Sequence, residues 1–441
     1  MAGKYQAYPD YKDSGVEWLG EIPNSWECIK LKYISGLRGE KVEPNGKESY
    51  VGMENIESWS GCYFQKNNIN PEGLSIRFLE NDVLFGKLRP YLAKSWLADF
   101  SGICSSEFLV LNSYGISPRF INYYTLTEEF IETVDSSTYG SKMPRASWDF
   151  IGLIGVPVPS DLESEIIADF LDYETAQIDT LIDKQQQLIQ LLKEKRQAVI
   201  NHAVTKGLNP DATMKDSGIE WLGEVPEHWA VKNLRYLGAC QNGINIGVDS
   251  FGSGYPFVSY GDVYKNEVLP EIGSGLVQST AQDRLTYSVV HGDVLFTRTS
   301  ETIEEIGYSS VCFKTIDDAT FAGFIIRFRP DYNSLLAGFS KYYFRNLLLR
   351  VFFIKEMNLV TRASLSQDLL KKLPISLPSI DEQREISEFL DQKTETFERL
   401  ITKSESVILL MQERRSALIS AAVTGKIDVR GWQPPAKSQP C

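Results

Sequence analysis

Two stretches of this chain carry apolar residues on alternating steps of three and four. In the first, Ile178, Leu181, Leu188, Leu192 and Val199 keep that register when the polar Gln185, Lys195 and His202 are counted with them. This is the heptad period of a helix that buries one seam. No Gly or Pro occurs between Asp161 and Gly207, so the pattern predicts a helix over 160–206, about 65 Å long at the usual rise per residue. Its start is marked by Pro157 and Pro159, then Ser160 with Glu163 three residues on, a capping box. In the second stretch Phe397, Leu400, Val407, Met411 and Leu418 repeat the seam at a fixed offset, 397 − 178 = 219. Ser404 and Arg414 interrupt it where Gln185 and Lys195 interrupt the first. Ser379 and Glu382 follow Pro374 and Pro378 as a second capping box, predicting a helix over 379–426. Pairing of the two helices within one chain, antiparallel by pseudo-twofold symmetry, is the simplest way to bury both seams. The alternative is that each helix packs only on its own domain. A second apolar stripe, Ile182, Ile189 and Leu191 with Ile401, Ile408 and Leu410, flanks the seams and is either extra core packing or a partner site; because both helices carry it, two copies of one partner docked symmetrically are favoured.

The helices are not the only repeat. Lys12-Asp13-Ser14-Gly15-Val16-Glu17-Trp18-Leu19-Gly20-Glu21-Ile22-Pro23, ending in Trp26, recurs as Lys215-Asp216-Ser217-Gly218-Ile219-Glu220-Trp221-Leu222-Gly223-Glu224-Val225-Pro226, ending in Trp229. The offset is 229 − 26 = 203, and a match this long marks an internal duplication. Between these markers and the helices the halves match loosely. Asn81-Asp82-Val83-Leu84-Phe85 resembles Gly292-Asp293-Val294-Leu295-Phe296, and Arg145-Ala146-Ser147 resembles Arg362-Ala363-Ser364. Short Val, Ile, Phe and Tyr runs between Gly-, Asn- and Ser-rich turns predict mixed domains with many short strands. The fold class expected is α+β: two mixed α/β domains, at 1–159 and 229–378, joined by two long helices in an antiparallel coiled coil. Residues 207–228 are read as a linker opening the second repeat, and 427–441 as a tail.

Composition narrows the function classes. Formal net charge is −13, which taken alone argues mildly against nucleic acid as a partner. Part of that excess is local, since eight acidic residues and no Lys or Arg lie between Asp161 and Asp183. Six cysteines without a Cys-x-x-Cys pair and only three histidines give no zinc spacing, so reduced thiols are expected. The start lacks the apolar core of a signal peptide and no apolar run approaches a membrane span. Gly252-Ser253-Gly254 has no third glycine because Phe257 stands there, and no P-loop or Gly-x-Ser-x-Gly elbow is present. The chain is therefore read as non-catalytic and without a metal.

Several places suit nucleic acid instead. Phe85-Gly86-Lys87-Leu88-Arg89-Pro90-Tyr91-Leu92-Ala93-Lys94 interleaves cations with aromatics, so that Lys87, Arg89, Tyr91 and Lys94 are candidates for phosphates or base edges. Lys142 and Arg145 lie in a second such stretch. The second half offers Thr297, Arg298 and Thr299, with Arg362 as the counterpart of Arg145. Asn242 and Asn245 have carboxamides suited to adenine edges, although turn formation explains either one alone.

Taken together, the duplicated Trp-containing segment, the Gly-Asp-Val-Leu-Phe turn and the twin helices resemble the specificity subunits of type I restriction–modification systems. The helix endings Arg196-Gln197-Ala198-Val199-Ile200 and Arg415-Ser416-Ala417-Leu418-Ile419 fit the same family. The resemblance implies two target-recognition domains, each reading half of a split double-stranded DNA sequence, and a coiled coil that sets the gap. It further implies no catalysis or cofactor in this subunit. Two methyltransferase subunits that use S-adenosylmethionine on adenine, and two endonuclease–translocase subunits that need ATP and Mg, would assemble with it in a prokaryotic cytoplasm. The flanking stripe then reads as the methyltransferase dock. Other readings are a coiled-coil adaptor with two protein-binding heads, or a nuclease or methyltransferase whose site has no familiar motif.

Overall fold

A computed structural model describes residues 5–44, 46–66, 73–140, 142–300, 306–356 and 363–434. It divides into two compact units, Met1–Gln186 with Glu405–Cys441 and Gln187–Ser404. Two long helices, α1 (Asp161–Lys206) and α2 (Ile380–Val423), contribute to both. Their lengths, 46 and 44 residues, match the uninterrupted stretches free of Gly and Pro.

Each unit is built on the same frame. In the first, strands β1 (Ser35–Arg38), β2 (Val83–Gly86), β3 (Ser95–Leu97) and β4 (Phe108–Ser113) form a sheet in the order β1-β4-β2-β3. In the second, β5 (Gly238–Asn242), β6 (Val294–Thr297), β7 (Ser309–Val311) and β8 (Ile325–Pro330) repeat that order as β5-β8-β6-β7. The Trp-containing repeat folds as a hairpin in both, with Tyr11–Asp13 on Glu21–Pro23 and Met214–Asp216 on Glu224–Pro226. Beyond it a two-stranded ladder closes the root of each unit, Glu27–Lys30 on Gly155–Val158 and Ala230–Asn233 on Pro374–Leu377.

The repeated tryptophans anchor these roots to the helix starts. Trp26 and Trp229 are fully buried, and each donates its indole N–H to a carboxylate near a helix start, Glu163 at 3.1 Å and Glu382 at 3.2 Å. Glu163 also accepts from the Tyr8 hydroxyl at 2.7 Å, and its own N–H reaches Ser160 Oγ at 3.3 Å. Glu382 additionally bonds the Ser379 N–H, so the second capping box closes in both directions. Asn81 stands where the second half has Gly292. It takes φ +68° against +89° for the glycine, a left-handed conformation that Asn tolerates, and the turn is kept.

The outer parts differ. Each unit has an inner core against the helices and a separate outer one. The outer core gathers Val51, Phe78, Trp96 and Phe108 in the first unit, and Phe257, Val258, Val277 and Phe321 in the second. A four-stranded sheet covers the former and a three-stranded sheet the latter. The loose sequence match between the markers reflects this divergence.

At alternate positions the helix seam lies one residue beyond the place the heptad count gives it. Ile178, Ile182, Leu418, Ile419 and Ala422 pack in the inner core of the first unit, with Ile408 and Met411 against them. In the second, Phe397, Ile401 and Ser404 are buried, while Val199, Ile200, Ala203 and Val204 join the inner core. The inward positions are thus 178, 182, 185, 189, 192, 196 and 199, and their equivalents 397, 401, 404, 408, 411, 415 and 418. Leu181, Leu188 and Leu400, expected in the seam, are 45%, 42% and 41% exposed. The two phases share Ile178, Gln185, Leu192 and Val199 and differ only where an apolar pair (Leu181-Ile182, Leu188-Ile189) or a basic pair (Lys195-Arg196) gives the pattern nothing to choose by.

Ion pairs mark the register. Arg415 Nε lies 3.0 Å from Asp179 Oδ1 in the first unit, and Arg196 Nη1 lies 3.6 Å from Glu398 Oε1 in the second. They are equivalents under the repeat, because 398 − 179 = 219 and 415 − 196 = 219. As α1 advances from Asp179 to Arg196, its partner on α2 recedes from Arg415 to Glu398, which is antiparallel pairing.

Candidate nucleic-acid interface

In the first unit the basic stretch begins where the buried strand β2 ends. Lys87 N–H donates to the Glu107 carbonyl at 2.9 Å, and its own carbonyl accepts from Ala146 N–H at 3.0 Å. Arg89 N–H donates to the Pro144 carbonyl at 2.8 Å, and Arg145 forms backbone bridges with Leu88 and Tyr139. The two stretches found separately in the sequence are therefore neighbours. Arg89 and Ala93 flank a tight turn at Pro90–Leu92, both in the left-handed region at φ +51° and +46°. That geometry leaves Arg89 and Tyr91 exposed, with Lys142 exposed beside them and Lys87 half-buried. Neither Lys87, Arg89 nor Lys142 has an ion partner among the described residues.

Two candidates are committed elsewhere. Lys94 turns inward and donates to the Met53 carbonyl at 2.6 Å, with burial lowering its pKa. Arg145 is held by Glu107, Nε at 3.0 Å and Nη2 at 2.9 Å, a pair that raises its pKa. Gly86, at the end of β2, is packed within the unit. A Cβ there would lie 2.6 Å from the Met53 methyl.

The second unit presents different chemistry at the same strand end. Arg298 N–H donates to the Phe324 carbonyl at 2.9 Å, and the Arg298 carbonyl accepts from Leu365 N–H at 2.7 Å. These bonds replicate those of Lys87 to Glu107 and to Ala146. Arg298 is the structural equivalent of Lys87, and Phe324 that of Glu107. Where Glu107 neutralises Arg145, Phe324 is 62% exposed. Thr297 is fully buried on β6 and Thr299 half-buried, so Thr297 cannot contact a ligand. Asn245 is exposed, and its Oδ1 would lie 2.0 Å from a Cβ on Gly323, next to Phe324. Asn242 is half-buried, with its backbone nitrogen 3.1 Å from the Gln367 carboxamide. Arg362 lies outside the described residues. The structural counterpart of Arg145 is Ser364, because Ala146 and Leu365 make equivalent bonds and Ser147 and Ser366 both cap the following helix. The Arg-Ala-Ser match is thus two residues out of register.

Sequence reading missed two exposed aromatics, Tyr139 (63%) beside Arg145 and Phe324. Aligning β4 with β8 by structure, at an offset of 325 − 108 = 217, exposes the second. The docking stripe also needs correction. Ile182 and Ile401 are buried, and Ile189 and Ile408 turn into the seam at half exposure, because the helix phase carries them inward. Leu191 and Leu410 stay exposed, at 61% and 63%.

Among the described residues no cluster of three His, Cys, Asp or Glu could hold a metal ion, and no helix is long and apolar enough to cross a membrane. Two divergent heads on one repeated frame define a recognition scaffold.

Comparison with known proteins agrees. Residues 226–408 match the type I restriction modification DNA specificity domain. The EcoDI specificity subunit of Escherichia coli is 24% identical over 220 residues, 49% of this chain and 46% of that protein. The EcoKI specificity subunit of Escherichia coli K12 is 23% identical over 353 residues, 76% of this chain and 69% of that one. A solved chain from work on complex assembly and conformational transition of a type I restriction–modification system shares the fold. Its TM-score is 0.72 at 18% identity, covering 91% of this chain and 98% of the other. The chain is thus similar to type I restriction–modification specificity subunits, with the domain match lying over residues 226–408.

Proposed function

We propose that this chain is the DNA-specificity subunit of a type I restriction–modification complex, without catalytic activity of its own. Each unit reads one half of a split duplex target. The observation that carries this reading is the common strand end with exchanged chemistry. Lys87, Arg89 and Lys142 crown the first unit, whereas Arg298, Phe324 and Asn245 crown the second. Free cations position a duplex through its phosphates, while side chains that differ on one backbone frame read different bases.

The paired helices act as the ruler between the two half-sites, and two methyltransferase subunits dock on their outward leucines. These are Leu181, Leu409 and Leu410 in the first unit and Leu188, Leu191 and Leu400 in the second, all between 41% and 63% exposed. S-adenosylmethionine, ATP and magnesium are held by partner subunits, including two that carry the endonuclease and translocase activities, in the cytoplasm. With 20 acidic and 15 basic residues over 1–160, the first unit's head offers a small electrostatic drive toward DNA. The methyltransferase then supplies much of the phosphate neutralisation.

The test is methylation-pattern sequencing of cells carrying this chain with its methyltransferase, against cells lacking only this chain. A single two-part motif with one fixed gap is expected, absent from the control. A motif unchanged by deleting the chain would refute the reading.

A further inference from the structure

The seam holds two equivalent arginines with unequal duties. Arg196, in the second unit, has Glu398 on the opposite helix as its ion partner among the described residues, at 3.6 Å. Arg415, its equivalent in the first, is buried and uses its whole guanidinium. Nε donates to Asp179 on the opposite helix at 3.0 Å, Nη1 to the Trp59 carbonyl at 3.2 Å, and Nη2 to the Ser60 carbonyl at 2.8 Å. The last two acceptors belong to the head. Trp59 sits at φ +65°, a conformation a bulky side chain adopts only when its surroundings impose it. Its N–H donates to the Ala93 carbonyl at 3.1 Å. Ala93 closes the turn that presents Arg89 and Tyr91. An unbroken line of hydrogen bonds thus runs from the helix pair through Arg415 and Trp59 to the basic loop.

We infer that Arg415 is a positioning residue that locks the first head's reading loop to the helix pair, so that helix register dictates where the first half-site is read. The inference rests on the DNA-specificity reading above. A planar fork spreads several donors in fixed directions and so reaches a carboxylate and two separate carbonyls at once. Lysine at 415 keeps the charge facing Asp179 and gives up the fork. Cutting the latch frees the loop to slide against the helices, which relaxes the gap while sparing the second head. The equivalent cut at Arg196 frees no loop.

The test uses the full chain with its methyltransferase in cells and reads the distribution of gap lengths among methylated sites. For Arg415→Gln, and for Arg415→Lys should the first variant fail to accumulate, sites one base pair off the normal gap should rise about tenfold relative to normal sites, the size of effect expected from losing charge-assisted bonds. Bases read in the second half should not change. Arg196→Gln should leave the gap distribution as it is. A single unchanged gap in a folded Arg415 variant, or equal broadening by Arg196→Gln, would overturn the inference. Absence of any split motif with the unaltered chain would instead refute the specificity reading beneath it.

Discussion

Neighbouring residues on α1 separate the structure's seam from the one the heptad count suggests. Ile182 is 9% exposed within the inner core of the first unit, whereas Leu181 is 45% exposed. Truncating a buried isoleucine to alanine removes its transfer free energy and leaves a cavity, together about 2–5 kcal/mol. Truncating a leucine that already has nearly half its surface in water forfeits roughly half of the ~2 kcal/mol of a full burial, with no closed cavity to add. Helix propensity differs little between these sites, so Ile182→Ala should cost about 3 kcal/mol and Leu181→Ala about 1 kcal/mol or less. Urea unfolding followed by circular dichroism measures both. Equal costs, or a larger one at Leu181, would mean that the seam runs through Leu181 and that the inward stripe has been assigned to the wrong phase.

Two further outcomes follow from the roots and the reading loop. Glu163→Ala leaves the Trp26 indole N–H and the Tyr8 hydroxyl without their acceptor, at 3.1 and 2.7 Å in the intact chain. Each orphaned buried donor costs about 1–3 kcal/mol, so a loss of roughly 2–6 kcal/mol in urea is expected, and a loss under about 1 kcal/mol would contradict the anchoring role. In the complex, Arg89→Ala and Lys142→Ala should each lower the slope of log affinity against log salt by about 1. An unchanged slope would remove that residue from the phosphate contacts.

Much of this architecture is legible in the sequence, and what is not has physical causes. The helices could be read because 46 and 44 residues without a break leave little alternative. The Trp repeat could be read because one buried indole bonded to a helix-start carboxylate requires the same residues twice. The seam phase could not, since Leu181-Ile182 and Leu188-Ile189 are apolar pairs and only packing decides between their members. Nor could the commitments of Lys94 and Arg145, because the Met53 carbonyl and Glu107 that hold them lie about forty residues away in sequence. The false pairing of Arg145 with Arg362 shows the same limit. Three identical letters outweighed a register that only hydrogen bonds reveal. Arg415 is the sharpest case, a polar residue at a seam position whose duty lies in a loop more than three hundred residues upstream.

On the proposed function, two interchangeable heads read two independent half-sites on one frame. Replacing residues 229–378 with the corresponding segment of a relative that has a different target, then sequencing the methylation pattern, tests it directly. One half of the modified motif should change to the donor's sequence while the other half and the gap stay as they were. A change in both halves, or in neither, would contradict it.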